Sequence, residues 1–145
     1  MKIAKEKQSG LILLEALIGV LIFSIGIVGM LGLQSLSIKA STDANYRSEA
    51  SYLANQILGQ MWLDKNNLSA YSLNAGNAPC AAGSSASANP NVTGWLGDVA
   101  RLPSANQFQQ QIIVAPANNQ VSVTVCWQTP HTTTAHNFVA STSIN

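Results

Sequence analysis

Hydrophobic residues are concentrated in one part of this 145-residue chain. A nearly continuous apolar run, LILLEALIGVLIFSIGIVGMLGL, covers residues 11–33 and is long enough to cross a bilayer as a helix. The polar segment before it, 1–10, contains Lys2, Lys5 and Lys7, three of the seven basic residues. Basic residues mark the cytoplasmic flank of a membrane helix, so we expect the rest of the chain to lie on the opposite side. The pattern predicts a leader over 1–10 and a transmembrane helix over 11–33.

This apolar run differs from the core of a cleaved secretory signal. Such a core is shorter and is followed by a small-residue cleavage site. No site of that kind follows Leu33, and the sequence continues in helical register. We therefore expect the apolar helix to remain in the mature protein.

A second pattern begins after residue 33, where the apolar positions become periodic. They recur at steps of three and four residues and form one stripe on a helix: Tyr46, Ala50, Leu53, Ile57 and Met61. No proline occurs between Leu11 and Asn66, so nothing forces the helix to end. The stripe predicts an amphipathic continuation of the helix over 34–65 that packs on a small domain.

The remainder of the chain divides into an irregular segment and a strand-forming segment. Residues 66–104 are dense in glycine, proline, serine and asparagine, which predicts a variable loop. In 105–145, apolar and polar residues alternate over QVSVTVCWQ, which predicts a strand. QQIIVA before it and NFVASTSI after it are further candidate strands, and PANN supplies a turn. The expected fold class is α+β, with one long N-terminal helix packed on a small antiparallel sheet that forms the C-terminal part of the head domain.

The two cysteines, Cys80 and Cys126, are far apart in the sequence. Their spacing fits neither a CxxC redox motif nor a four-ligand zinc site. In an exported domain the expected state is one disulfide, which would close a loop of about 47 residues and contribute about 4 kcal/mol in the chain-entropy model. Two buried free thiols are the alternative.

Glu15 is the single charged residue within the apolar run. A carboxylate inside a membrane span costs about 2.5–3.5 kcal/mol on insertion scales, so we expect a partner charge. Cleavage after Gly10 would create one, because the ammonium group of Leu11 in a neighbouring subunit would then neutralise Glu15. The alternative is a tolerated charge that snorkels to the membrane surface, and it gives no role to the Gly10–Leu11 junction.

The segment from Ser9 to Glu15, SGLILLE, resembles the class III signal of type IV pilins and pseudopilins. The resemblance implies that a prepilin peptidase cuts between Gly10 and Leu11 and methylates the new N-terminus at Leu11. It also implies that Glu15 is the carboxylate used in subunit assembly. The chain departs from the family pattern at two positions, with Leu11 where phenylalanine is usual and Ile12 where threonine is frequent.

Three further segments are similar to minor pilins of the PilV type: SIGIVGMLGLQ over 24–34, ASYLANQILGQM over 50–61, and VTVCW over 123–127. The similarity implies a minor pilin that acts in pilus assembly and initiation, and in pilus-dependent adhesion and twitching motility. The implied partners are the prepilin peptidase, other minor and major pilins, and the inner-membrane assembly machinery. The implied location is the bacterial inner membrane, as a single-pass protein with a periplasmic C-terminal domain, and then the pilus at the cell surface.

Two other functions fit the same leader and helix. One is a minor pseudopilin of type II secretion, and the other is a pilus-tip adhesin or ligand-binding subunit. The formal net charge of +1 and the lack of a basic cluster give no reason to expect nucleic-acid binding. The sequence has no catalytic motif, metal-ligand set or cofactor motif, so we expect a non-enzymatic protein. His131 and His136 are interpreted as turn residues, and Trp62 and Trp127 as core residues.

Overall fold

The computed structural model describes residues 9–130 and 132–144. Within those residues it contains two α-helices and three strands: α1 (Ser9–Leu63), α2 (Pro90–Val99), β1 (Gln111–Ala115), β2 (Gln120–Trp127) and β3 (His136–Ser143). Short 3₁₀ segments occupy Lys65–Tyr71 and Ala105–Gln107. The chain forms two compact units, one up to Thr42 and one from Asp43 onward, and the second is called the head below. The predicted leader up to Gln8, with its three lysines, lies outside the described residues, as does His131.

The first unit is the part of α1 up to Thr42. A continuous helix is favoured here because no proline interrupts the backbone hydrogen bonds. Ser24 is the one hydroxyl residue within 11–33, and its side chain donates to the Val20 carbonyl at 2.7 Å. Its donor is therefore satisfied inside the helix, as an apolar environment requires.

The head is built on a three-stranded antiparallel sheet in the order β1-β2-β3, with the second part of α1 packed on one face. Alternate residues of the central strand form that face, as the sequence pattern predicted, and all are buried: Val121, Val123, Val125 and Trp127. The apolar stripe of α1 joins them in one cluster that includes Ala50, Leu53, Ile57 and Met61. Helix α1 ends at Leu63, close to the predicted limit at 65. The α+β prediction, a long N-terminal helix on a small antiparallel sheet, is confirmed.

Residues 66–104 contain more regular structure than the predicted variable loop. Helix α2 begins at Pro90, directly after Asn89, whose side-chain oxygen accepts a hydrogen bond from the Asn91 N–H at 2.9 Å. Proline at the first helical position, with asparagine before it, is a helix-start signal as well as a loop signal. The loop prediction was wrong for 90–99 because the same residue types mark both structures. Three apolar residues at helical spacing then bury one side of α2: Val92, Trp95 and Val99.

The tryptophans differ from the prediction in one case. Trp127 is buried as expected, whereas Trp62 is 47% exposed. Trp62 follows Met61 directly, and consecutive helix residues are about 100° apart, so the two side chains do not share the buried stripe. The buried tryptophan of the helical layer is Trp95, which is 2% exposed and donates from Nε1 to the Leu53 carbonyl at 2.9 Å. Trp95 thereby connects α2 to α1.

We expect Trp95→Phe to lower the free energy of unfolding of the head by about 1–3 kcal/mol, because it removes both buried volume and the hydrogen bond to α1. The matched control is Trp62→Phe, which changes an exposed side chain and should alter stability by less than about 0.5 kcal/mol. Urea titration of the detergent-solubilised chain, followed by near-ultraviolet circular dichroism, measures both values. Equal losses in the two variants would contradict the different roles given to these tryptophans.

Candidate functional site

The first candidate site is the apolar surface of α1 over 11–33. Its large apolar side chains are all exposed in the single chain; Leu11, Phe23 and Leu33, for example, are 70%, 69% and 71% exposed. Burial of apolar surface is worth about 25 cal/mol per Å², so a surface of this extent requires lipid or other apolar chains around it. Within the described residues, α1 is the one helix long and apolar enough to cross a membrane, and it can serve as a single membrane anchor.

Glu15 interrupts this apolar surface. Its side chain is exposed, and none of the residues that the structure describes forms an ion pair with it. The next charged residue along the helix is Lys39, about 36 Å away at 1.5 Å per residue. Ser24, in contrast, is satisfied within the helix. Glu15 is thus the charged side chain of 11–33 that has no ion pair in the described part of the chain, and such a charge is costly in an apolar environment.

The predicted cleavage junction, Gly10–Leu11, lies in the first turn of the same helix, which begins at Ser9. Both residues of the junction are exposed. Leu11 and Glu15 are four residues apart, so they lie on one side of the helix and about 6 Å apart along its axis. The helix thus brings the predicted cleavage position and the predicted assembly carboxylate to a common surface.

The second candidate site is the outer face of the sheet, where a disulfide joins Cys80 and Cys126 with their Cα atoms 5.5 Å apart. Cys126 belongs to β2 and is fully buried, although it points away from the valine face. Cys80 lies in a left-handed backbone conformation with φ of 58°. The expected disulfide is therefore present, and the alternative of two free thiols does not hold. The bridge fixes the segment around Cys80 against the central strand.

A buried glutamine beside the disulfide was not predicted from the sequence. Gln110 is 2% exposed, and its side-chain amide accepts from the Cys126 N–H at 2.7 Å and donates to the Cys126 carbonyl at 3.1 Å. It also donates to the Ala105 carbonyl at 3.0 Å. The side chain takes the place of a peptide group and continues the hydrogen bonding between β1 and β2. The sequence signal is the QQQ run before two isoleucines, which does not distinguish a buried glutamine from an exposed one.

Amide side chains hold the segment that contains Cys80. Asn74 donates to the Gln110 carbonyl at 2.9 Å, and Gln111 donates to the carbonyls of Asn74 and Asn77 at 3.0 and 2.9 Å. The one ion pair among the described residues, Arg101 with Asp98 at 3.2 Å, is on the surface. Such pairs contribute about 0–1 kcal/mol, so neutral hydrogen bonds and the disulfide organise the outer face.

An open polar cleft of about 580 Å³ lies between the end of α1 and the start of α2. Two of its side chains bond directly, since Asn67 donates to Asp64 at 2.7 Å. The buried Tyr71 hydroxyl links two others, because it accepts from Asn91 at 2.6 Å and donates to Asp64 at 3.3 Å. The described part of the chain contains no group of histidine, cysteine and carboxylate side chains that could hold a metal ion.

Comparisons of the chain with protein-family models, with curated proteins and with solved structures found no match. The function is therefore inferred from the residues and their geometry. The structure joins the two predicted disulfide cysteines and brings Leu11 and Glu15 to one side of α1. The roles of Gly10, Leu11 and Glu15 in processing and assembly stay predictions.

Gln110→Leu should lower the free energy of unfolding by about 1–3 kcal/mol, because it leaves the Cys126 N–H buried without an acceptor. Gln120→Leu is the matched control, since Gln120 is an exposed residue of β2 and its replacement should change stability by less than about 0.5 kcal/mol. Urea titration compares the two variants. A loss in Gln120→Leu as large as in Gln110→Leu would show that leucine in the sheet, and not the lost amide, is responsible.

Replacing both cysteines, Cys80→Ala with Cys126→Ala, should lower the free energy of unfolding by about 2–4 kcal/mol, because the unfolded chain is no longer closed into a loop. The sequence separation of 46 residues makes the expected entropic effect large. A reductant should lower the free energy of unfolding of the unchanged protein by a similar amount and leave that of the double variant unchanged. Insensitivity of the unchanged protein to a reductant that is shown to break the bridge would contradict a stabilising role.

Proposed function

We propose that this chain is a minor type IV pilin of the PilV type. In this proposal a prepilin peptidase cuts the inner-membrane precursor between Gly10 and Leu11, and the mature chain then enters a pilus. Three features together carry the proposal: one exposed apolar helix, a carboxylate just after the proposed cut that has no ion pair among the described residues, and a small α+β head. The assignment to the PilV type rests on the sequence resemblance. An apolar surface of this kind suits lipid before assembly and the helices of other subunits afterwards.

During the proposed assembly, neighbouring helices would replace lipid around α1. The apolar surface of α1 would stay out of water throughout, so its burial contributes little to the free energy of assembly. Lipid tails are as apolar as leucine side chains, so packing and polar pairing decide whether helices associate. Glu15 supplies the polar pairing. The ammonium group that cleavage creates on Leu11 of a neighbouring subunit would attract it by about 4 kcal/mol at a separation of 4 Å and an effective dielectric constant of 20. Such a pair would fix the register of the two helices along their axes.

The head is proposed to contribute the surface that faces other pilins. After Lys65 its sequence contains two charged residues, Asp98 and Arg101, and these pair with each other. A nearly neutral surface avoids the penalty of burying unpaired charges between subunits. The sequence has no phosphate-binding loop, so the proposed assembly requires energy from separate inner-membrane machinery. In this role the protein would support pilus initiation, adhesion and twitching motility.

Glu15→Gln tests the proposal because it removes the charge and keeps the size of the side chain. We expect cleavage after Gly10 and membrane insertion to be unchanged, and the amount of protein in sheared surface pili to fall at least about tenfold, equivalent to about 1.4 kcal/mol. The matched control is Glu49→Gln, which neutralises an exposed carboxylate on the head portion of α1. Immunoblots of pili and cell fractions from a strain with an active prepilin peptidase measure both.

The control variant should enter pili as the unchanged protein does. Normal incorporation of Glu15→Gln would remove the proposed role of that carboxylate. A chain that is processed after Gly10 but stays in the cell envelope, even without substitutions, would favour the type II secretion pseudopilin instead.

A further inference from the structure

Strand β3 is at an edge of the sheet, and its outer side has no partner among the described residues. Ile144, directly after β3, donates its N–H to the Asn119 carbonyl at 2.9 Å, so its backbone faces β2. In an antiparallel pair, alternate residues direct their N–H and C=O groups to the neighbouring strand. The intervening residues of β3 direct their N–H and C=O groups away from β2, and these groups have no hydrogen bond within the described chain. The intervening residues are Asn137, Val139, Ser141 and Ser143.

The opposite edge of the sheet is covered at Gln110 and Ile112, while no hydrogen bond is seen on the outer side of Val114 within the described residues. Ile112 of β1 exchanges two backbone hydrogen bonds with Leu73, at 2.9 and 3.0 Å. Gln110, just before β1, accepts from Asn74 through its carbonyl and donates its N–H to the Ser85 hydroxyl. Among the described residues, the sheet therefore has one edge that is largely covered, at β1, and one that is open, at β3.

The open edge lacks the usual protection against strand addition. Natural edge strands are protected by lysine, proline, bulges or a very short length. Strand β3, HNFVASTS, has eight residues with no lysine, proline or carboxylate. Its register with β2 is regular over His136–Ser143, and no charged residue follows Arg101 in the sequence. An edge of this kind is suited to accept another strand.

We propose that the outer edge of β3 binds an extended, uncharged segment of another polypeptide as a fourth strand of the sheet. The backbone of that segment would pair with the free N–H and C=O groups of β3. On the core side its side chains would meet Phe138 and Ala140, which are partly buried against the apolar cluster, so apolar residues are favoured at alternate positions. On the outer side they would meet the exposed Val139 and Ser141, where polar or β-branched residues fit.

A second copy of this chain is a poorer occupant of the edge. Its β1 edge is paired with Leu73 at Ile112, which leaves only Val114 of that strand for a second copy, so head-to-tail strand addition is disfavoured. Antiparallel pairing of two β3 strands would relate the copies by a twofold axis normal to the sheet, and α1 would run in opposite directions in the two heads. The preference for another polypeptide rests on the proposed membrane insertion, because the chain of each copy would then have to enter its head at Asp43 from the same membrane. The open edge itself does not depend on that proposal.

Amide hydrogen exchange of the full chain in detergent micelles tests the pairing directly. The probe is a blocked synthetic peptide of about six residues in which valine alternates with serine and threonine. Without the peptide, the amides of Val139 and Ser141 should exchange rapidly, while those of Ala140 and Thr142 should be protected by β2. With the peptide, exchange at Val139 and Ser141 should slow at least tenfold, roughly the effect of one well-formed backbone pair. A control peptide of the same composition with its valines contiguous should give less protection.

Two results would overturn the proposal. One is rapid exchange at Val139 and Ser141 that persists at millimolar peptide. The other is protection of both amides without peptide that disappears on dilution, which would show that a second copy occupies the edge. Both readouts come from the unchanged protein, so they do not depend on whether a variant folds. They also do not depend on pilus formation, so failure here and failure of the proposed function are distinguishable.

Ser141→Pro tests the pairing with a variant. Proline removes the Ser141 N–H, which points away from β2, so the hydrogen bonds between β2 and β3 are kept. It should weaken binding of the alternating peptide at least about tenfold. Ser141→Ala is the control: it keeps the N–H, loses only the hydroxyl contact with Ser122 at 3.0 Å, and should bind the peptide within about twofold of the unchanged protein. Equal binding by the proline variant, in a chain whose circular dichroism is unchanged, would contradict backbone pairing at this edge.

Discussion

One helix has to satisfy two environments, and both units of the chain depend on it. Over 11–33 the large apolar side chains of α1 are exposed, whereas between Ala50 and Met61 its apolar stripe lies in the core of the head. The two demands are compatible because the first segment is apolar on all sides and the second on one side. The lack of proline between Leu11 and Asn66 lets one backbone serve both. The head therefore folds on the same helix whose first segment is long and apolar enough to cross a membrane.

Beyond Lys65, the head uses neutral groups where many domains use charges. A head of this size buries a limited core, so a covalent bridge is a substantial part of its stability. The disulfide and the Gln110 amide both act on Cys126, and they join the outer face of the sheet to the preceding segment. Trp95 has the equivalent role in the helical layer. The same neutrality leaves β3 without the charges that usually protect an edge strand.

Periodicity predicted the parts of the fold in which burial follows one face of a helix or strand. The stripe of α1 and the alternation over Val121–Trp127 were both of this kind, and both are confirmed. Helix α2 was missed because Asn89 and Pro90 are common in loops as well as at helix starts. Gln110 was missed because its burial depends on the backbone of a distant strand, and no local pattern encodes that partner. Glu15 was identified from the cost of its charge in an apolar run, although the partner we propose lies on another subunit.

In the proposed function, Leu11 becomes a free N-terminus whose charge is used in assembly with Glu15. The mass of the N-terminal peptide of this protein, recovered from sheared surface pili, tests the claim most directly. We expect a peptide that begins at Leu11 and carries one methyl group on its amine. A peptide that begins at Met1, from cells with an active prepilin peptidase, would contradict it.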